Sequence, residues 1–159
     1  MFSKTSLSIP NFINNSGLNF FFASNPDLTD NEVDEMIKQS GGIDFEILGI
    51  GRNEHIGFNQ PDSELDANTH LTSLTESTIE ANSVFFESRD KMPTQALTMG
   101  IGSILSAKTI IIMANGESKK AAVEKLVNGN ITTSLPASLL KVHPDVILIC
   151  DKAAYSLVK

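Results

Sequence analysis

Three short, nearly unbroken apolar runs constrain this chain most: "FEILGI" (45–50), "TIIIMA" (109–114) and "DVILIC" (145–150). A strand with one wet face alternates apolar and polar residues, whereas a continuous run between turn signals suits a strand of a covered parallel sheet. A fourth run, "LNFFFA" (18–23), is read as a strand as well. Helical patterns fall between the runs. Thr29 with Glu32 forms a capping box ahead of Val33, Met36 and Ile37, and Gly41–Gly42 closes that helix. Residues 117–128 place Ala122, Val123, Leu126 and Val127 on one face, and Pro136 suits the first turn of a short helix, "PASLLKV". Ser77 with Glu80 caps a further helix through "STIEANSVFF". Strand and helix in alternation predict a single α/β domain over 1–159, with 1–17 as an irregular lead-in. Met92, Met99 and Met113 are read as core filler.

Charge narrows the partners. The net charge of −7 and the scattered lysines argue against a nucleic-acid phosphate backbone as partner, since such a domain shows a basic stripe. No apolar run approaches membrane-spanning length, and "MFSKTSLSIPNFINNSG" lacks the apolar core of a signal peptide. Cys150 is the only cysteine, so no internal disulfide can form, which fits a reducing compartment. The expected location is cytoplasmic.

In an open α/β sheet, ligands sit beyond the carboxyl ends of the strands. Two loops occupy that position. The first, "GIGRNEHIGFNQP", carries His55, the one side chain there that exchanges protons near neutral pH, between glycines that let backbone approach a ligand. An ordinary turn with a hydrogen-bonded histidine is the competing reading. The second, "NGESKKA", opens a helix with Lys119 in its first turn, a pattern able to hold an anion, with Lys120 as the solvated neighbour. Surface lysines at an N-G helix start are common, so the pattern alone stays open. His70 and His143 have no partner at metal-ligand spacing, and no metal is expected. No P-loop or dinucleotide glycine motif is present, and no cofactor is expected.

The run "LGIGRNEHIGFNQP", with "LTSLTESTIEANSVFF", "PTQALTMGIGSILSAKTIIIMANGESKKAAVEKLV" and "LPASLLKVHPDVILICD" in order after it, resembles the glucosamine-6-phosphate deaminase (isomerase) family. The resemblance implies a Rossmann-like parallel sheet flanked by helices, incomplete at its N-terminal side. It also implies an activity that turns an amino-sugar phosphate into the keto-sugar phosphate and ammonia. On this resemblance His55 matches the ring-opening histidine, and Gly51 and Lys119 match substrate-binding positions. Asn53 and Gln60 stand where the family has an aspartate and a glutamate that tune the histidine. Glu54 stands where it has a glycine and is a candidate to compensate. The family's phosphate loop after its first strand and its aspartate base for the C2 proton have no match here, and its phosphate-binding arginines are replaced by His70 and Val84.

The resemblance therefore implies three alternatives: a deaminase completed by another chain, a truncated non-catalytic protein retaining sugar-phosphate binding, and a decayed fragment. The second is favoured, because aldose–ketose isomerisation without a C2 base lacks its central proton transfer. An uncovered sheet edge further predicts a homo-oligomer or association with a fuller paralogue.

Overall fold

A computed structural model describes residues 30–76, 79–80 and 94–159. The 18–23 run, the 1–17 lead-in, Thr29, Met92 and most of "STIEANSVFF" lie outside the described residues.

Helix α1 (Asp30–Gln39) buries Val33 and Ile37, while Met36 stays exposed. It stops where Gly41, at φ +91°, adopts a conformation that only glycine takes without cost. Strand β1 (Phe45–Gly49) follows. A two-stranded antiparallel ribbon then forms from β2 (His70–Ser73) and β3 (Gln95–Thr98), with His70 opposite Thr98. Helix α2 (Ile101–Leu105) leads into β4 (Thr109–Ala114). A 3-10 turn (Glu117–Lys119) runs into α3 (Lys120–Asn128), and a longer 3-10 segment (Pro136–Val142) precedes β5 (Val146–Cys150).

The three apolar runs of the sequence become one parallel sheet in the order β1-β4-β5. Ile47 pairs with Ile111, and Ile111 with Ile147. Together with its helices this is a Rossmann-like α/β arrangement. The core lies on one side of the sheet, where Leu48, Ile110 and Ile112 pack with Ile104, Val123, Leu126 and Leu140. Val127 drops out of the α3 packing stripe and is exposed. On the opposite side Phe45, Ile47, Met113, Ile147 and Ile149 are all exposed among the described residues, so coverage there is one-sided. Met113 is therefore not core filler, whereas Met99 does pack against the core.

Asp34 ties α1 to the rest. Its carboxylate accepts hydrogen bonds from Thr69 N (2.8 Å), Thr69 Oγ1 (2.6 Å) and Ser103 Oγ (2.8 Å). Burial alone would raise its pKa, but these bonds outweigh it and hold the carboxyl below its ordinary value.

Candidate functional site

Parallel pairing of β1 with β4 puts Gly49 beside Met113, so the loops leaving both strands emerge at the same end of the sheet. The 50–61 loop and the turn carrying Lys119 are thereby neighbours. Lys119 Nζ donates a 2.8 Å hydrogen bond to the carbonyl of Ile50, which locks one loop to the other.

Within the first loop the chain folds back on itself. Gly51 N donates to the His55 carbonyl (2.9 Å), and Glu54 N donates to the Gly51 carbonyl (3.1 Å). This turn lays the imidazole of His55 against Gly51. A Cβ at Gly51 would stand 2.3 Å from His55 Nδ1 and 2.5 Å from Cγ, so glycine is needed there to admit the ring. The end of the loop is pinned from below by Asn59, which is buried. Its amide nitrogen donates to the carbonyls of Ile56 (3.0 Å) and Met99 (2.8 Å), which fixes which way the carboxamide points.

His55 is held by amides. Its Nδ1 lies 2.6 Å from Asn53 Oδ1, and Asn53 Nδ2 donates to Gln60 Oε1 at 2.7 Å. Burial first, then the positive charge of Lys119, lowers the pKa of His55 to about 4. The ring is consequently neutral at pH 7. Lys119 itself is held below its ordinary pKa, mainly by burial and then by Arg52.

Glu54 is buried and carries the one positive φ (65°) of a non-glycine residue among the described residues. Its carboxylate pairs with Lys125 of α3 (3.0 Å). Lys120 faces outward and pairs with Glu117 (2.7 Å). The two adjacent lysines thus separate, one inward and one to solvent.

The remaining sequence candidates sit elsewhere. His70 bonds the Asn68 carbonyl and approaches Asp66. His143 clamps the chain: its Nε2 donates to the Ala107 carbonyl (2.7 Å) while Nδ1 accepts from Asp145 N (3.1 Å). Among the described residues no cluster of three His, Cys, Asp or Glu side chains could hold a metal ion. No helix there is long and apolar enough to cross a membrane. The sequence reading missed Asp34, and its three hydrogen bonds carry no local signal because the donors lie 35 and 69 residues away.

Residues 22–148 match the family model of glucosamine-6-phosphate isomerases and 6-phosphogluconolactonases. A glucosamine-6-phosphate deaminase of Alkaliphilus oremlandii is 56% identical over 124 residues, covering 78% of this chain and 52% of its own length. One from Clostridium acetobutylicum is 50% identical over 145 residues, covering 89% and 60%. Among solved structures, a monomeric glucosamine-6-phosphate deaminase superposes with a TM-score of 0.76 at 44% identity, over 80% of this chain and 53% of that one. A 6-phosphogluconolactonase of Trypanosoma cruzi shares the fold (TM-score 0.61, 16% identity, 83% and 54%). The chain spans between half and three-fifths of the length of these relatives.

Proposed function

The chain belongs to the glucosamine-6-phosphate isomerase/6-phosphogluconolactonase family, and we propose from this that it binds an amino-sugar phosphate with its deaminase chemistry impaired. One observation carries the reading: the partner of His55 Nδ1 is the carboxamide of Asn53, 2.6 Å away, with a second amide, Gln60, behind it. A carboxylate in that place would stabilise the imidazolium as the ring takes up a proton. An amide orients the ring and leaves the charge uncompensated. With burial and then Lys119 pressing its pKa down, His55 is poor at holding a proton.

The nearby carboxylates support the same reading. Glu54 is engaged by Lys125, Asp62 accepts from Ser63, Asp66 lies by His70, and Glu64 is exposed. None of these four is hydrogen-bonded to His55 or Lys119, which supports a site short of a general base for a C2 proton. Lys119 remains suited to a phosphate, since an ammonium has three donors and only one is given to Ile50. An active deaminase is the second reading, favoured by the 56% identity to a relative of that name.

Calorimetric titration with glucosamine 6-phosphate, followed by an ammonia assay on the same sample, separates the two. Binding without ammonia is the expected result. Ammonia release that disappears in His55→Ala would establish the second reading, and absence of binding would refute both.

A further inference from the structure

We propose that Gln60 and Asn53 form an amide relay that places the proton of the neutral His55 ring on Nδ1, so that Nε2 meets a ligand as a hydrogen-bond acceptor. This deepens the sugar-phosphate reading of the same site and rests on it for the identity of the ligand. Gln60 Oε1 takes one of the amide hydrogens of Asn53 (2.7 Å), which commits the Nδ2 side of that carboxamide and turns Oδ1 towards the ring. An oxygen at 2.6 Å can only accept, so His55 Nδ1 must donate. The proton that makes this bond is then absent from Nε2, because a neutral imidazole carries only one.

Each member of the relay is itself held. The His55 ring is seated on Gly51, where no side chain would fit. Gln60 is held through Oε1, which accepts the bond from Asn53. Adjacent Asn59 anchors the backbone through Ile56 and Met99. Reversing the relay requires both amides to turn together. The charged side chain acting on the ring is Lys119, from the turn after β4, and exposed Arg52 acts in turn on Lys119. Glu54, the adjacent carboxylate, is held by Lys125. Among the described residues nothing anionic therefore favours a second proton on the imidazole. Its bare Nε2 suits a sugar hydroxyl or an ammonium, both donors, and disfavours a phosphate oxygen, which can only accept. Lys119 is left to take the phosphate.

The test is 15N NMR of the ligand-free chain labelled at histidine, at pH 7. His143 is an internal standard, since its donated bond to Ala107 assigns the opposite tautomer, protonated on Nε2. The expected result is a pyrrole-type Nδ1 and a pyridine-type Nε2 for His55, with His143 reversed. In Gln60→Met, Asn53 loses its anchor and His55 should show a mixture of tautomers, while an unchanged His143 reports that the fold is intact. In Asn53→Asp, the Nδ1 proton should stay in place and the pKa of His55 should rise by about 1–3 units. His55 protonated on Nε2 in the native chain, or a pure Nδ1 tautomer surviving in Gln60→Met, would overturn the relay. Because no ligand is present, failure to bind glucosamine 6-phosphate would sink the proposed function and leave the relay standing. Binding with a reversed tautomer would do the opposite.

Discussion

Glu54 turns away from its neighbour His55 and pairs with Lys125, 71 residues further along the chain, at 3.0 Å. The pair straps the candidate loop to α3, and the Glu54 carbonyl adds a bond from Ala137 N (3.0 Å). Because the Glu54 backbone sits at φ +65°, the side chain stays there at a conformational cost of about 1–3 kcal/mol.

Two substitutions separate strap from strain. Glu54→Ala keeps the unfavourable φ and loses the ion pair, so stability should fall by about 1–2 kcal/mol. Glu54→Gly loses the same pair but relieves the backbone, and should come out near neutral, within about 0.5 kcal/mol. Urea unfolding of the three proteins gives the comparison. Equal losses in both variants would mean that φ at this position stores no strain.

Gly51→Ala tests the seat of the ring. A methyl group 2.3 Å from Nδ1 must push the imidazole out of the turn, because backbone bonds to His55 and Glu54 hold Gly51 itself. Overpacking of this kind costs about 1–3 kcal/mol. The displaced ring should also leave Asn53 and become better solvated, raising the His55 pKa from about 4 towards its ordinary value. An NMR titration that still finds the depressed value would show that His55 does not depend on this seat.

Two titrations of half-buried side chains oppose each other in pH. His55 falls from 6.5 to about 4 on folding, so the unfolded chain binds its proton more tightly, and stability is lost as pH drops through that interval. Glu46 rises from 4.5 to about 7 through burial, so its protonated form favours the folded chain, and stability is lost as pH climbs through that interval. Where the intervals overlap the two slopes, each about 1.4 kcal/mol per pH unit at most, cancel. Thermal stability should therefore be nearly flat between about pH 5 and 6. Glu46→Gln removes one slope, and stability should then rise with pH across the same range. A flat profile in the variant as well would contradict the half-buried, neutral state of His55.

Much of this was legible in the sequence because it is written locally. The runs at 45–50, 109–114 and 145–150 became β1, β4 and β5 with little change, since short apolar stretches between turn signals are the local mark of a strand. The family, too, was readable from the motif around His55, and its model matches residues 22–148. The β2–β3 ribbon escaped because "HLTS" and "QALT" are four residues each and carry no strong alternation. Spacing also could not tell where Glu54 would point. Its sequence neighbour is His55, but its partner in space is set by the packing of α3 against the loop.

Lys119 and Lys120 provide the sharpest check on the anion end of the site. They are adjacent in sequence and equal in charge, yet Lys119 reaches inward to Ile50 while Lys120 pairs with Glu117 at the surface. A general electrostatic attraction for phosphate would make the two nearly interchangeable, and salt would screen both. A specific contact would not. Lys119→Ala should weaken glucosamine 6-phosphate binding by roughly tenfold or more, the worth of one charge-assisted hydrogen bond of about 1.5–3 kcal/mol. Lys120→Ala loses only an exposed pair and should change affinity by less than about twofold. Calorimetry on both variants decides it, with Lys119→Met as a control that keeps the buried stem. A similar loss in Lys119→Ala and Lys120→Ala would remove Lys119 from the site and with it the phosphate half of the proposed ligand.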